Sequence, residues 1–482
     1  MSELSSTDAL AALEQRVCLD LETIEHPLRP WVREHVCADG TPLSDVVIVG
    51  AGLSGLAIVF GLMRRGVTRL RVLDAAPAGR EGPWVTSARM RTLRSPKTLT
   101  GPDLGVPSLT YRAWHEARHG RDHWAALDKI DRCDWMDYLV WFRRIVGIAV
   151  ENETRLTGIA PEAGHLRLAV ATPSGSGSIA CRKLVLATGI DGAGGHHVPA
   201  GLVEGLPRER WAHSGEVVDI GNLQNRDIGV VGSAASSFDW AVAALEAGAR
   251  SVTVLARTRA LPRTEILDWS NFPGFLDHFA DLGDADRYRF TRRMLSFKGP
   301  PTVEMFTRAM DDPRCRLVLA AGADSAVLRD GRVEVSTPKG IFDFDMLLLG
   351  TGYAVALERR PELAGLLGSI ATWRDRYLPP DGEADADVLS YPYLGAGFQL
   401  TERHPGTAPC LAHIHLFNNG AVPSMGPVCN GITGLKSGVP RLVASLTRDL
   451  FVADAEAHYR SLDGYDKVHF DPPGYRVLES AE

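Results

Sequence analysis

Two apolar runs in this chain end in glycine-rich turns, and the charge that closes each unit has the opposite sign. The first reads Val46-Val47-Ile48-Val49-Gly50-Ala51-Gly52-Leu53-Ser54-Gly55, and Asp74 follows the next apolar run, Leu70 to Leu73. The second reads Ile228-Gly229-Val230-Val231-Gly232-Ser233-Ala234-Ala235-Ser236-Ser237, and Arg257 follows the run Ser251 to Leu255. A strand, a tight turn that brings backbone close to a pyrophosphate, and a helix whose N-terminus receives that charge make one dinucleotide-binding unit, completed by a ribose-side residue about 20 positions on. An acid there accepts hydrogen bonds from a free 2′-hydroxyl, whereas an arginine matches a 2′-phosphate. Asp74 therefore points to FAD or NAD, and Arg257 to NADPH. The second turn is degenerate, with Ala234 and Ser237 at the second and third glycine positions. Alanine still lets backbone approach phosphate, and Ser233, Ser236 and Ser237 add hydroxyl groups that can contact it.

The 482 residues suffice for two or three domains, each with its own core. A net charge of −7 argues against a nucleic-acid partner, which calls for a basic stripe. No stretch approaches the roughly 18 uninterrupted apolar residues of a spanning helix. The first residues, Met1 to Asp8, lack the basic and apolar pattern of a secretory signal. With seven scattered cysteines, the expectation is a reduced, cytoplasmic protein with no membrane association. No two cysteines stand in a CxxC or CxxxxC arrangement, which excludes the redox dithiol of a disulfide reductase. Oligomeric state, homo-oligomer included, is left open.

The expected fold is α/β with two Rossmann-like domains, the second inserted into the first, and an N-terminal helical extension. The extension covers 1–44, with Leu10, Leu13, Val17 and Leu21 at helical spacing. The first part of the FAD domain spans 45–190, the NADPH domain 191–345, the second part of the FAD domain 346–450, and a polar tail 451–482. Two apolar runs ending in small-Thr-Gly turns, at Ala187-Thr188-Gly189 and Gly350-Thr351-Gly352, mark where the chain crosses between domains.

Gly79 to Trp84 and Met90 to Lys97 are dense in Gly, Pro, Arg and Trp, which reads as a loop over a ligand and nominates Trp84, Arg91 and Lys97. Lys97 is a candidate to bind a carboxylate or phosphate. The run Trp135, Tyr138, Leu139, Trp141 and Phe142 reads as a buried helix face. His115-Glu116-Ala117-Arg118-His119 has the spacing of a zinc-protease helix. Arg112, Arg118 and Arg121 flank it and no third ligand is evident, so it is read as a solvated helix and no metal is expected. His196, His197, His413 and His415 are read as hydrogen-bonded rather than ligating.

The two turns, the split arrangement and the small-Thr-Gly links together resemble the class B flavoprotein monooxygenases, over roughly residues 45 to 450. The resemblance implies that Gly50, Gly52, Ser54, Gly55 and Asp74 bind FAD, with Trp84, Arg91, Thr188 and Gly189 beside it. It implies that Gly232, Ser233, Ser236, Ser237 and Arg257 bind NADPH, and that Thr351, Gly352 and Tyr353, which match the family's Ala-Thr-Gly-Tyr motif, also bind a cofactor. A helix N-terminus at Gly431-Ile432 would face the flavin ring, and Arg263 would stand where Baeyer-Villiger enzymes set an arginine against the oxygenating flavin. The implied activity is NADPH- and O2-dependent monooxygenation of a small molecule through a C4a-(hydro)peroxyflavin, with N-hydroxylation of an amine or amino acid expected first. Baeyer-Villiger oxidation of a ketone is one alternative, and a flavin reductase passing electrons to a partner or quinone is another. The chain departs from the family pattern at Glu81 and Gly350, and at Pro207 and Glu209 in the linker motif that would end at His213.

Overall fold

In a computed structural model the described residues are 6–429, 431–470 and 473–474. Residues 475–482 of the expected tail and 1–5 of the extension lie outside them. The apolar run before the first glycine turn forms strand β1 (Ser44–Val49), whose central residues Val46, Val47 and Ile48 are wholly buried. A continuous apolar run of this kind suits a parallel strand covered on both faces. Helix α1 (Ser6–Thr23) precedes it, with Val17 and Leu21 in the core. Helix α2 (Leu53–Met63) follows the turn and returns the chain to β2 (Leu70–Leu73), parallel to β1.

Beyond β2 the chain has no strand until β3 (Arg155–Glu162). It forms three helices instead, α3 (Tyr111–His119), α4 (Arg121–Ala126) and α5 (Arg132–Ile145). The aromatic face expected on α5 is buried: Trp135, Tyr138, Trp141 and Phe142 are at most 4% exposed. β3, β4 (His165–Thr172) and the long β5 (Gly175–Gly189) form an antiparallel meander, and the second half of β5 lies parallel to β1. The strand Ile414–Asn418, more than 200 residues later, closes this sheet against β5.

Between these strands the chain builds a second sheet. β6 (Gly194–His196) leads to β7 (Trp211–His213), β8 (Asp227–Val231), helix α6 (Ala235–Glu246), β9 (Ser251–Leu255) and β10 (Cys315–Val318). The strand order is β10-β9-β8, then Met346–Leu349, then β7, all parallel. The two crossing segments pair with each other, because β6 lies antiparallel to Tyr353–Val355. The helix Leu435–Ala453 packs on α2, and its Asp449, with Asp454 at its C-cap, takes up the buried Lys183 and Arg182 of β5. Among the described residues no helix is long and apolar enough to cross a membrane.

Candidate dinucleotide sites

The first glycine turn leaves a cradle in front of α2. The helix begins after Gly52 in extended conformation with no side-chain cap, so its first N–H groups are free for an anion. Side chains at Gly50 and Gly55 are excluded by backbone: an added Cβ would lie 2.4 Å from the Ala187 carbonyl oxygen and 1.8 Å from that of Gly50. At Gly52 it would meet nothing nearer than 3.9 Å, leaving open space where a pyrophosphate would rest. Asp74 stands at the end of β2, accepting the Ala51 N–H at 2.7 Å and the Ala76 N–H at 2.8 Å. Burial pushes its carboxyl above the ordinary value, against those two hydrogen bonds. Each oxygen keeps a lone pair for a ribose hydroxyl. These residues fit an adenine dinucleotide such as FAD. Trp84, an edge-to-face neighbour of Trp135, keeps its indole N–H buried with no protein partner.

The second turn repeats the arrangement at the end of β8. Ala234 precedes α6 in extended conformation, again with no side-chain cap. Ser233 Oγ lies 3.3 Å from Thr258 Oγ1, and beyond it Arg257, Arg259 and Arg263 are exposed. None of these three guanidinium groups has a hydrogen bond or ion pair among the described residues. These guanidinium groups could receive a second phosphate group; at the helix start itself the Ala235 N–H is taken by the Gly299 carbonyl at 3.1 Å. Ser237, at the third glycine position, is fully buried, and its hydroxyl fills the space above Gly350. An alanine methyl at 350 would fall 2.3 Å from that hydroxyl oxygen. The two departures from the family pattern at 237 and 350 therefore compensate one another.

Glu81 also has a structural reason: its buried carboxylate receives Arg143 Nη1 at 2.5 Å and Asn152 Nδ2 at 2.6 Å, tying the loop to α5. Thr188 takes a hydrogen bond from Asn418 at 3.0 Å, and Gly189 has φ of +79°. Thr351 donates to the His197 carbonyl across the paired crossing segments, and Gly352 has φ of +84°. Tyr353 packs on the stacked rings of His196 and His213, whose centroids are 4.3 Å apart. Burial, and then His196, pull the His213 imidazole down to about 4.

Several nominated residues lie elsewhere than expected. The Arg91 guanidinium reaches Glu246 of α6 at 2.7 Å, a carboxylate that Arg308 shares. The Lys97 ammonium is filled by main-chain carbonyls at the end of α4, Trp124 at 2.7 Å and Ala125 at 3.3 Å, with Leu127 beside them. Gly431 and Ile432 sit in a turn ahead of the helix, which starts at Leu435, and Ile432 is buried against Gly101. The reading of His115 to His119 as a solvated helix is corrected: His115 is 0% exposed, and Asp134 of α5 stands close to both histidines.

One acid escaped the sequence reading. Asp239, in the second turn of α6, is pushed up to about 6 by burial, against the charge of Arg94 from the first domain's loop. A carboxylate within an otherwise apolar nucleotide helix was the available signal. Arg89 of the same loop lies over the Trp240 ring at 4.8 Å and donates to the Val218 carbonyl at 3.0 Å. The loop after the first nucleotide turn thus docks on the helix of the second.

A family model described as FAD-NAD(P)-binding matches residues 47–191. Among solved structures, the ornithine N-hydroxylase of Kutzneria sp. 744 is similar with a TM-score of 0.67 at 17% identity, covering 85% of this chain and 100% of that one. The ornithine hydroxylase of Pseudomonas aeruginosa follows at 0.65 and 16%, covering 85% of this chain and 100% of that one. These likenesses establish the fold. The FAD-dependent urate hydroxylase of Xanthomonas campestris pv. campestris is 41% identical over 466 residues, 96% of this chain and 97% of its own length. With that degree of identity along nearly the whole of both chains, the chain belongs to the class B flavoprotein monooxygenases, enzymes that bind FAD and NADPH.

Proposed function

We propose that this enzyme hydroxylates urate or a closely related oxopurine, using NADPH and O2. The observation that carries this reading is the 41% identity to a FAD-dependent urate hydroxylase along nearly the whole of both chains. The balanced reaction consumes one NADPH, one proton and one O2 per urate, placing one oxygen atom on the purine and the other in water. Bound FAD supplies the redox chemistry, and the chain binds and orients the reactants. Gly52 and the start of α2 would hold the FAD pyrophosphate, and Asp74 its ribose. The start of α6, with Ser233, Ser236 and Arg257, would hold NADPH; Arg259 and Arg263 extend the same cationic edge, which supports a place for Arg263 at the nicotinamide dinucleotide. Lys97, already saturated by carbonyls, is not proposed as a substrate-binding group.

The second reading is N-hydroxylation of an amine or amino acid, which the Thr351-Gly352-Tyr353 link supports. One experiment separates the two. The FAD-loaded enzyme is given NADPH and O2 with urate, other oxopurines, ornithine, lysine or a ketone, and uncoupled peroxide is subtracted. Urate consumed one-for-one with NADPH is the expected result. Tight coupling to ornithine or lysine, with a hydroxylamine product, would reject the purine reading.

A further inference from the structure

Four metal-ligating side chains converge outside the nucleotide sites, on the three helices between β2 and β3. His115 and His119 are one turn apart on α3, His123 is on α4 and Asp134 is on α5. One donor atom each from His115, His119 and Asp134 can be chosen so that all lie within 4.8 Å of one another. His119 Nε2 is 3.7 Å from Asp134 Oδ2, and His115 Nε2 is 3.3 Å from His123 Nδ1. Donors around a tetrahedral zinc, at about 2.0–2.2 Å from the metal, are themselves about 3.4 Å apart. The two pairwise contacts are close to that spacing, while the His115, His119 and Asp134 set is wider, reaching 4.8 Å, and would contract on a bound ion.

We infer that His115, His119, His123 and Asp134 form a structural binding site for a divalent transition metal of the zinc class. Three further observations support it. His115 is fully buried, and its Nδ1 has no hydrogen-bond partner. Two of the three helices that carry the donors are held at their starts by side-chain caps: Thr110 accepts the Ala113 N–H on α3, and Asp131 accepts the Cys133 and Asp134 N–H groups on α5, while α4 starts at Gly120 without one. The three arginines that would repel a dication are all paired, two of them to the same acid. Arg112 pairs with Glu116 at 2.7 Å, Arg118 with Asp137 at 3.1 Å, and Arg121 with Glu116 at 3.8 Å. Closed coordination by four side chains leaves no open position, so the ion would pin α3, α4 and α5 together rather than do chemistry. Trp135, next to Asp134, packs on Trp84, so that clamp would bear on the FAD loop.

The test uses tag-free, metal-stripped, FAD-loaded protein titrated with Zn2+ by calorimetry and with Co2+ by visible absorption. One Zn2+ per chain is expected, with the intense d–d bands of four-coordinate Co2+ and a rise in Tm on adding Zn2+. His119→Ala and, separately, Asp134→Asn should weaken Zn2+ binding roughly tenfold or more, with FAD content retained in at least one of the two. His278→Ala, which removes an exposed histidine 3.2 Å from Asp281, serves as the control and should leave binding unchanged. Absence of a stoichiometric site, six-coordinate Co2+ bands, or affinity that both cluster variants leave unchanged would overturn the assignment.

Discussion

Ser237 and Gly350 are best understood as one decision made at two positions. The serine hydroxyl occupies the volume that the family's usual alanine methyl would fill, so each residue is tolerable only because of the other. Gly350→Ala should cost about 1–3 kcal/mol through overpacking. The same change in a Ser237→Gly background should be nearly neutral, which a double-mutant cycle of urea denaturation would show as coupling. At the other residue-scale contrast, Arg257→Ala would remove the charge-assisted 2′-phosphate contact proposed for it, worth about 1.5–3 kcal/mol. KM for NADPH should therefore rise by about ten- to a hundredfold while KM for NADH barely moves, measured by steady-state oxidation of each. Equal effects on both would reject a 2′-phosphate role. Glu81 shows a third residue whose departure from pattern has a reason: it trades a flexible glycine for a buried tie to Arg143 and Asn152.

At the scale of elements, α2 and α6 are helices whose starts carry no side-chain cap, whereas α3 and α5 are capped by Thr110 and Asp131. At α2 the first N–H groups stay unpaired, which is unfavourable in an isolated helix and useful where an anion will be bound, whereas at α6 the Ala235 N–H is taken by the Gly299 carbonyl at 3.1 Å. α6 also carries Asp239, whose folded carboxyl titrates at about 6 against 3.8 unperturbed, because burial disfavours its charge. Between those values the folded chain holds a proton that the unfolded chain has lost, so stability falls as pH rises. The contribution is fully present below 3.8 and gone above about 6. Asp239→Asn should flatten that window and raise stability at neutral pH by on the order of 1–3 kcal/mol, read from urea midpoints across pH. Unchanged pH dependence in the variant would locate the effect elsewhere.

At the scale of the whole molecule, distant segments are joined by few, specific contacts. Glu246 of α6 takes both Arg91 from the first sheet's loop and Arg308, but all three are solvent-accessible, so Glu246→Ala should cost less than about 1 kcal/mol. Arg182 of β5 and Asp454 are nearly sealed, at 9% and 2% side-chain exposure. Burial pushes the Asp454 carboxyl up, yet hydrogen bonds from Arg182 and His35 bring it below its usual value. Asp454→Ala should therefore cost about 3–5 kcal/mol by removing both hydrogen bonds from a buried guanidinium whose remaining acid, Asp45, stands 3.9 Å away, whereas pairing Arg182→Met with Asp454→Leu should recover most of it in thermal unfolding. The parallel strands that run into the glycine and small-Thr-Gly turns, and the charges at Asp74 and Arg257, were legible in the chain itself, because strand periodicity, tight turns and charge sign are local properties, whereas the β3–β4 meander, β7, β10 and the strand Ile414–Asn418 were not. Legibility ended where partners come from far away in sequence. Lys97, read as a free cation, is consumed by the carbonyls of α4, and Asp239 acquires its shifted acidity only when α6 is covered by the loop bearing Arg94. Likewise His115 and His119 announced a helical pair, but the third and fourth donors arrive on α4 and α5. The sequence by itself determined a two-nucleotide α/β oxidoreductase, since glycine geometry and ribose-side charge follow from neighbours a few residues apart. Only the tertiary structure decided which charged groups are free to act, because burial and pairing are set by segments that meet across the fold.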